Sequence, residues 1–185
     1  MELIPTRLPE VLIVQPKVFG DNRGYFCELY RQEHTRLGLE LMVQVNISRS
    51  QRNVVRGLHC QSQQPQAKLI SVIRGTIFDV AVDIRRGSPT FGQWCGQVLS
   101  DENHLQLYVP IGFAHGFCVL SDEVDMLYQC SDYYHPQTEV GILWNDPDIA
   151  IEWPTSEPIL SSKDQQNVRL AHVAPALLPS YPALV

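Results

Sequence analysis

The residues best suited to chemistry lie in one short stretch, Val55-Arg56-Gly57-Leu58-His59-Cys60-Gln61, with Lys68 a few positions later. An imidazole exchanges protons near neutral pH, and a guanidinium can bind two phosphate oxygens at once. On a regular strand Arg56 and His59 would point to opposite faces, but a bend at Gly57 can turn both toward one cavity. The stretch is therefore a candidate site, and the surrounding elements must supply its geometry.

A second motif, Pro110-Ile111-Gly112-Phe113-Ala114-His115, has the PxGxxH form found in cupin-type jelly rolls. Metal-binding cupins carry an HxH pair in their first motif, but the corresponding stretch here is His59-Cys60-Gln61. With His59 and His115 as the only well-placed imidazoles, a transition metal would have too few ligands. We therefore expect a cupin-like barrel with an organic active site, no metal and no cofactor.

Dense strand patterns must position these residues. In residues 68–85 an apolar, β-branched run leads to a turn at Arg74-Gly75-Thr76 and the residues after it alternate, which predicts a hairpin with one buried face. Asp79 and Asp83 fall on its polar face, where a cavity-lining and a solvent role are equally open. Further strands are expected at 91–99, 105–110, 116–120, 124–130, 141–144 and 149–153, and helical pattern only near 28–37 and after Ser161. The predicted fold class is all-β, a cupin-like double-stranded β-helix (jelly-roll barrel) with a few short helices.

The composition fits one soluble domain. The chain has 185 residues and a formal charge of -6, which opposes diffuse attraction to nucleic acid. Its five cysteines are widely spaced, which favours free thiols over a disulfide framework. No leader pattern or membrane-length apolar run is visible, so we expect a cytoplasmic protein. Residues 1–173 are predicted to form the domain, and the proline-rich residues 174–185 an irregular tail.

Further motifs follow in order: AHGF at 114–117, LYQCSDYY at 127–134, WNDP at 144–147 and LSSKD at 160–164. Together with VFGDNRGYFCE, QVNISRS, VVRGLHCQ, VAVDIRRGSPTFGQW, PIGFAHGF and EWP, they closely resemble the dTDP-4-dehydrorhamnose 3,5-epimerase family. The chain departs from the family in a loop one residue shorter before Lys68, and in Cys60, where an aromatic is usual. The resemblance implies a cofactor-independent isomerase of dTDP-L-rhamnose and lipopolysaccharide O-antigen biosynthesis.

The resemblance also implies catalytic roles. His59 corresponds to the general base, and Asp164 to the carboxylate that orients it. Tyr128 corresponds to the acid that returns a proton to the opposite face of the ring, since inversion needs groups on both sides. Lys68 corresponds to the cation near the C4 oxygen, where negative charge collects when the adjacent C–H bond breaks.

The remaining matched positions are implied to hold a dTDP-linked 4-keto-6-deoxy-hexose. Tyr134 corresponds to the ring that stacks on thymine. The family forms homodimers in which the N-terminal strands cross to the partner, so Arg23 and Glu28 are expected to complete the neighbouring site. The full set of implied ligand holders is Arg23, Glu28, Gln44, Asn46, Arg56, Lys68, His115, Tyr134, Glu139 and Lys163.

Each residue also has an ordinary explanation when taken singly. His59 could be a hydrogen-bonded structural histidine, and Asp164 the third helical position of a capping box begun by Ser161. Tyr128 could be a core aromatic, and His115 could close the barrel mouth without touching substrate. The joint occurrence of the motifs favours the functional interpretation.

Three other functions compete with the 3,5-epimerase. A mono-epimerase acting at only C3 or C5 would use similar residues. A non-catalytic sugar-nucleotide-binding cupin would not need an acid–base pair, and a metal-dependent cupin oxygenase would need the HxH pair that is absent here. The order of the two epimerisations and the final glycan stay open at this level.

Overall fold

The computed structural model describes residues 1–181, in which thirteen strands form three antiparallel sheets. The six-stranded sheet contains, in spatial order, β1 (Glu2–Pro5), β2 (Leu12–Gln15), β10 (Gln106–Val109), β7 (Lys68–Arg74), β12 (Glu123–Cys130) and β5 (Gln44–Gln51). The five-stranded sheet contains β13 (Glu139–Gly141), β6 (Val55–Gln61), β11 (Phe113–Val119), β8 (Thr76–Asp83) and β9 (Trp94–Ser100). A separate hairpin joins β3 (Val18–Asp21) to β4 (Gly24–Cys27). Short 3-10 helices span Gln32–Leu37, Pro136–Thr138, Asp164–Gln166, Leu170–His172 and Pro175–Leu177.

The two large sheets share a hydrophobic core, as expected for a jelly roll. Ile70 of β7 and Met126 of β12 pack in one cluster with Ala81 of β8 and Phe117 of β11. The all-β prediction is confirmed. The other face of the five-stranded sheet is covered as well, because Val80 and its neighbours pack against residues near the end of the described chain. The central strands of this sheet are therefore buried on both faces.

The hairpin predicted over residues 68–85 is wrong. Strand β7 pairs with β10 and β12, whereas β8 pairs with β11 and β9 in the opposite sheet. Gly75, with φ of 87°, is the single residue between them and forms a corner rather than a hairpin turn. A Cβ at this position would lie 2.3 Å from the carbonyl oxygen of Glu123, so the corner requires glycine.

Other boundaries also differ from the sequence prediction. Residues 149–153 contain no strand, because this segment crosses the outer face irregularly and Ala150 has φ of 53°. The helical pattern at 28–37 yields only the 3-10 helix Gln32–Leu37. In the predicted tail, Leu178 packs in the hydrophobic cluster that covers the second face of the five-stranded sheet, and Ser180 forms an isolated β-bridge with Arg86. Residues 182–185 lie outside the described part. Among residues 1–181, no helix is long and apolar enough to cross a membrane.

Candidate active site

A cavity of about 630 Å³ is lined by residues from both large sheets and from the segment before the Asp164–Gln166 helix. It collects eleven of the thirteen residues that the sequence singled out. These are Gln44, Asn46, Arg56, His59, Lys68, His115, Tyr128, Tyr134, Glu139, Lys163 and Asp164.

A bulge in β6 brings Arg56 and His59 into the same cavity. His59 lies opposite His115 in the pairing with β11, whereas Arg56 lies opposite Phe117, so β6 contains one extra residue between the two pairs. Gly57 has φ of 123°, and a Cβ there would lie 2.6 Å from the Cα of Gly116. The bend expected at Gly57 is therefore the feature that lets both side chains line the cavity.

His59 is paired with a buried carboxylate. Its Nε2 lies 2.5 Å from Oδ1 of Asp164, while the Ser161 hydroxyl donates to Oδ2 at 2.8 Å. Burial opposes ionisation of Asp164, but the hydrogen bonds from His59 and Ser161 outweigh it and lower the pKa of the carboxyl. The carboxylate thus holds a hydrogen on Nε2 and leaves the lone pair of Nδ1 to accept a proton. Asp164 is also the first residue of its helix rather than the third.

Glu139 connects three other predicted site residues. Its Oε1 lies 3.8 Å from His59 Nε2, its Oε2 lies 2.8 Å from Lys163 Nζ, and the Tyr134 hydroxyl donates to Oε2. Burial raises the Glu139 pKa, but the bonds from Lys163 and Tyr134 lower it overall. The same carboxylate raises the pKa of Tyr134 to about 12. Glu139 therefore carries negative charge at the edge of the cavity nearest to the predicted base.

Tyr128 and Lys68 lie on the opposite wall, in the six-stranded sheet. Tyr128 of β12 is paired with Asn46 of β5 and Ile70 of β7, and its hydroxyl makes no hydrogen bond to the described residues. Burial raises the pKa of Tyr128, which keeps the phenol protonated at neutral pH. Because His59 belongs to the five-stranded sheet, the imidazole and the phenol line the cavity from different walls.

The cavity contains a second imidazole–carboxylate pair. His115 Nε2 lies 2.7 Å from Oδ1 of Asp79, a residue that is 0% exposed. Asp83 is also 0% exposed and binds Arg85, so the solvent role left open for both aspartates is wrong. The alternation along β8 put both on one face, but it could not show that this face lies inside the barrel.

Arg23 and Glu28 are not brought to the cavity of this chain. Arg23 lies between β3 and β4, where its 85%-exposed side chain pairs with Asp21 at 2.5 Å. Glu28 follows β4 and pairs with Arg31 at 2.5 Å. Among residues 1–181, no group of three or more His, Cys, Asp or Glu side chains is arranged to hold a metal ion.

Residues 5–172 match the family model described as dTDP-4-dehydrorhamnose 3,5-epimerase. The chain belongs to the dTDP-4-dehydrorhamnose 3,5-epimerase family. Over 168 residues it is 51% identical to the dTDP-4-dehydrorhamnose 3,5-epimerase from Shigella flexneri. The aligned region covers 89% of this chain and 93% of that relative. A relative of the same name from Neisseria gonorrhoeae is 50% identical to this chain. The aligned region covers 89% of this chain but only 51% of the length of that relative.

Two further family members extend the comparison. A dTDP-4-dehydrorhamnose 3-epimerase from Streptomyces niveus is 42% identical to this chain. The aligned region covers 98% of this chain and 90% of that relative. A crystal structure of the Legionella pneumophila dTDP-6-deoxy-D-glucose-3,5-epimerase in complex with dTDP-4-keto-L-rhamnose matches with a TM-score of 0.95 and 50% identity. It covers 98% of this chain and 99% of that one. The predictions of the family, of an isomerase and of the cupin-like jelly roll are confirmed.

Proposed function

We propose that this chain epimerises dTDP-4-dehydro-6-deoxy-D-glucose at C3 and C5, giving dTDP-4-dehydro-L-rhamnose for dTDP-L-rhamnose biosynthesis. The observation that carries the proposal is the pair of His59 and Tyr128 on different walls of one cavity, with Asp164 bonded to the imidazole. A single base would tend to return a proton to the face it came from. Two groups on different walls allow removal from one face and delivery to the other.

The reaction proceeds by proton transfer next to the C4 ketone. Nδ1 of His59 takes the proton from C3 or C5, and the Asp164 carboxylate stabilises the positive charge that forms on the ring. Negative charge moves to the C4 oxygen, and the ammonium group of Lys68, which lines the same cavity, stabilises it. Tyr128 then gives its proton to the opposite face of the carbon, and no electrons leave the sugar.

The other cavity residues hold the nucleotide. Arg56 and Lys163 supply positive charge for the diphosphate in a protein of net charge -6. Tyr134 is 51% exposed at the cavity and offers a ring face to the thymine. Gln44 and Asn46, which hydrogen-bond to each other at 3.1 Å, supply amide groups on β5. The five cysteines are unpaired, which fits a reducing, cytoplasmic setting.

We also propose that the chain is a homodimer. Strand β5 forms one edge of the six-stranded sheet, and its outward residues Val45 and Ile47 are 63% and 69% exposed. Such contiguous apolar exposure is typical of an interface. A dimer through this face would let the β3–β4 hairpin carry Arg23 and Glu28 to the partner's cavity.

The dimer can be tested with two matched substitutions. Val45→Asp should give a monomer in light scattering, because it places a charge in the proposed interface. Val98→Asp on β9, where the valine is 41% exposed at the edge of the other sheet, should leave the dimer intact. A monomeric wild-type chain, or equal effects of the two changes, would refute the dimer.

Proton NMR in deuterated water tests the activity. The chain should incorporate deuterium at both C3 and C5 of dTDP-4-dehydro-6-deoxy-D-glucose, and His59→Asn should abolish incorporation at both carbons. Incorporation at neither carbon by the wild type would refute the epimerase. If the chain still bound the nucleotide sugar, it would be the non-catalytic binding module instead.

The same spectra separate the 3,5-epimerase from a C3-specific enzyme. That second candidate deserves a test because the Streptomyces niveus 3-epimerase is 42% identical to this chain. Deuterium at C3 alone would assign the chain to the mono-epimerases. Deuterium at both carbons with an L-configured product would assign it to the 3,5-epimerases.

A further inference from the structure

Asp79 is an ionisable residue in the interior of the barrel. It lies on β8 between Ile77 and Ala81, both of which belong to the hydrophobic core shared by the two sheets, and it is 0% exposed. Burying a carboxyl group among apolar side chains costs free energy unless hydrogen bonds compensate it. A core that needed only packing would be better served by an apolar residue here.

Its hydrogen bonding is incomplete. Oδ1 lies 2.7 Å from His115 Nε2, while Oδ2 is buried and has no hydrogen-bond partner among residues 1–181. Burial raises the pKa of the Asp79 carboxyl, and the charges of His115 and Lys68 offset this only in part. Asp79 therefore has one side-chain partner among the described residues, His115, which lines the proposed active site.

The two imidazole–carboxylate pairs of the cavity differ in construction. Asp164 accepts hydrogen bonds on both oxygens and its pKa is lowered, whereas Asp79 accepts on one oxygen and its pKa is raised. The geometric difference is the second oxygen. Asp164 Oδ2 accepts a hydrogen bond from the Ser161 hydroxyl, so that carboxylate is supported beside His59. Asp79 Oδ2 has no donor among residues 1–181, so the hydrogen shared with His115 Nε2 is the one hydrogen that compensates its burial.

We propose that Asp79 is a positioning residue that acts through His115, keeping a hydrogen on Nδ1 of His115 that is donated to the C4 oxygen of the sugar beside Lys68. One hydrogen lies between Nε2 and Oδ1, and a second on Nδ1 makes the buried pair neutral overall. His115 is paired opposite His59, so this donor lies on the strand next to the base. The inference rests on the proposed function and adds a second donor for the charge that forms in the reaction.

Kinetics of Asp79 variants test this role. Asp79→Leu should lower kcat by about 10- to 100-fold, by analogy with the loss of a carboxylate behind a metal-bound imidazole, with KM changing by less than about threefold. Asp79→Asn, which retains one hydrogen bond to the ring, should recover part of kcat. The control is Asp83→Asn, on the same face of β8 and equally buried, which should lower the melting temperature without changing kcat.

A folded Asp79→Leu variant with kcat within twofold of the wild type would overturn the inference. So would equal losses of kcat in Asp79→Leu and Asp83→Asn, because that would indicate a purely structural role.

Nitrogen-15 NMR of the histidine rings gives a readout that does not depend on turnover. In the wild type Nδ1 of His115 should carry a hydrogen while Nε2 is hydrogen-bonded to Asp79, and in Asp79→Leu the ring hydrogen should be shared between the two nitrogens. The signals can be assigned by their loss in His115→Gln. An unprotonated Nδ1 in the wild type would overturn this inference, whereas a wild type that exchanges no substrate proton would overturn the proposed function instead.

Discussion

Replacing Asp164 by Asn should slow the reaction without disturbing the fold. The change removes the negative charge 2.5 Å from His59 Nε2 and keeps the shape of the side chain and an acceptor for the ring. The imidazolium charge is spread over its ring and the carboxylate charge over two oxygens, so the charge centres lie farther apart than the bonded atoms, at about 4 Å. At that separation and an effective dielectric constant of about 20, their attraction is about 4 kcal/mol, which sets the upper limit on the loss when the imidazolium forms. The difference between a charge-assisted and a neutral hydrogen bond, about 1.5 kcal/mol, sets the lower limit.

Each 1.36 kcal/mol changes the rate by about tenfold, so kcat should fall by about 10- to 1,000-fold. KM should change by less than about threefold, since the charge matters chiefly after proton transfer has begun. The measurement is the rate of deuterium incorporation at C3 and C5 under saturating substrate. Asp146→Asn is the control, because Asp146 is 1% exposed and bonds the backbone N–H of Leu170 outside the cavity. A loss smaller than threefold in Asp164→Asn would refute the assignment of Asp164 as the partner of the base.

Three further changes have defined outcomes. Tyr128→Phe should lower product formation by about 100-fold or more while deuterium still enters with retained configuration, and an unchanged product rate would remove Tyr128 as the acid. Gly57→Ala should lower the stability by about 2 kcal/mol or more in denaturant unfolding, because φ is 123° and its Cβ would meet Gly116; an unchanged midpoint would contradict the bulge geometry. Asp83→Asn should lower the melting temperature by about 6–12 °C at neutral pH, because removing one partner of its buried ion pair with Arg85 costs about 3 kcal/mol. Burial raises the Asp83 pKa, but hydrogen bonds led by that of Arg85 lower it below its ordinary value of 3.8. The stabilisation by ionised Asp83 is therefore complete above pH 3.8 and is lost as the pH falls through the lower pKa of the folded protein. The difference in melting temperature between the wild type and Asp83→Asn should disappear in that range. A gap that widened on acidification would contradict this sign.

Much of the candidate site could be predicted from the sequence, because it is carried by short motifs whose side chains lie close along the chain. Arg56, His59 and Lys68 fall in and near one strand, and the glycine between Arg56 and His59 signalled the bend that aligns them. The all-β fold was equally accessible, since strand alternation is a local pattern. The capping spacing of Ser161 and Asp164 was visible too, although the Ser161 hydroxyl proved to support the carboxylate beside His59.

Only the tertiary structure decided which strands pair and which face is the interior. Residues 68–85 looked like a hairpin, yet a one-residue corner sends β7 and β8 into opposite sheets. The sequence left open whether Asp79 faces water or a cavity, because a polar residue on an alternating strand gives the same pattern in both cases, and the structure buries it against His115. Arg23 and Glu28 lie outside the cavity of their own chain. These outcomes depend on contacts between residues far apart in sequence, which no local pattern encodes.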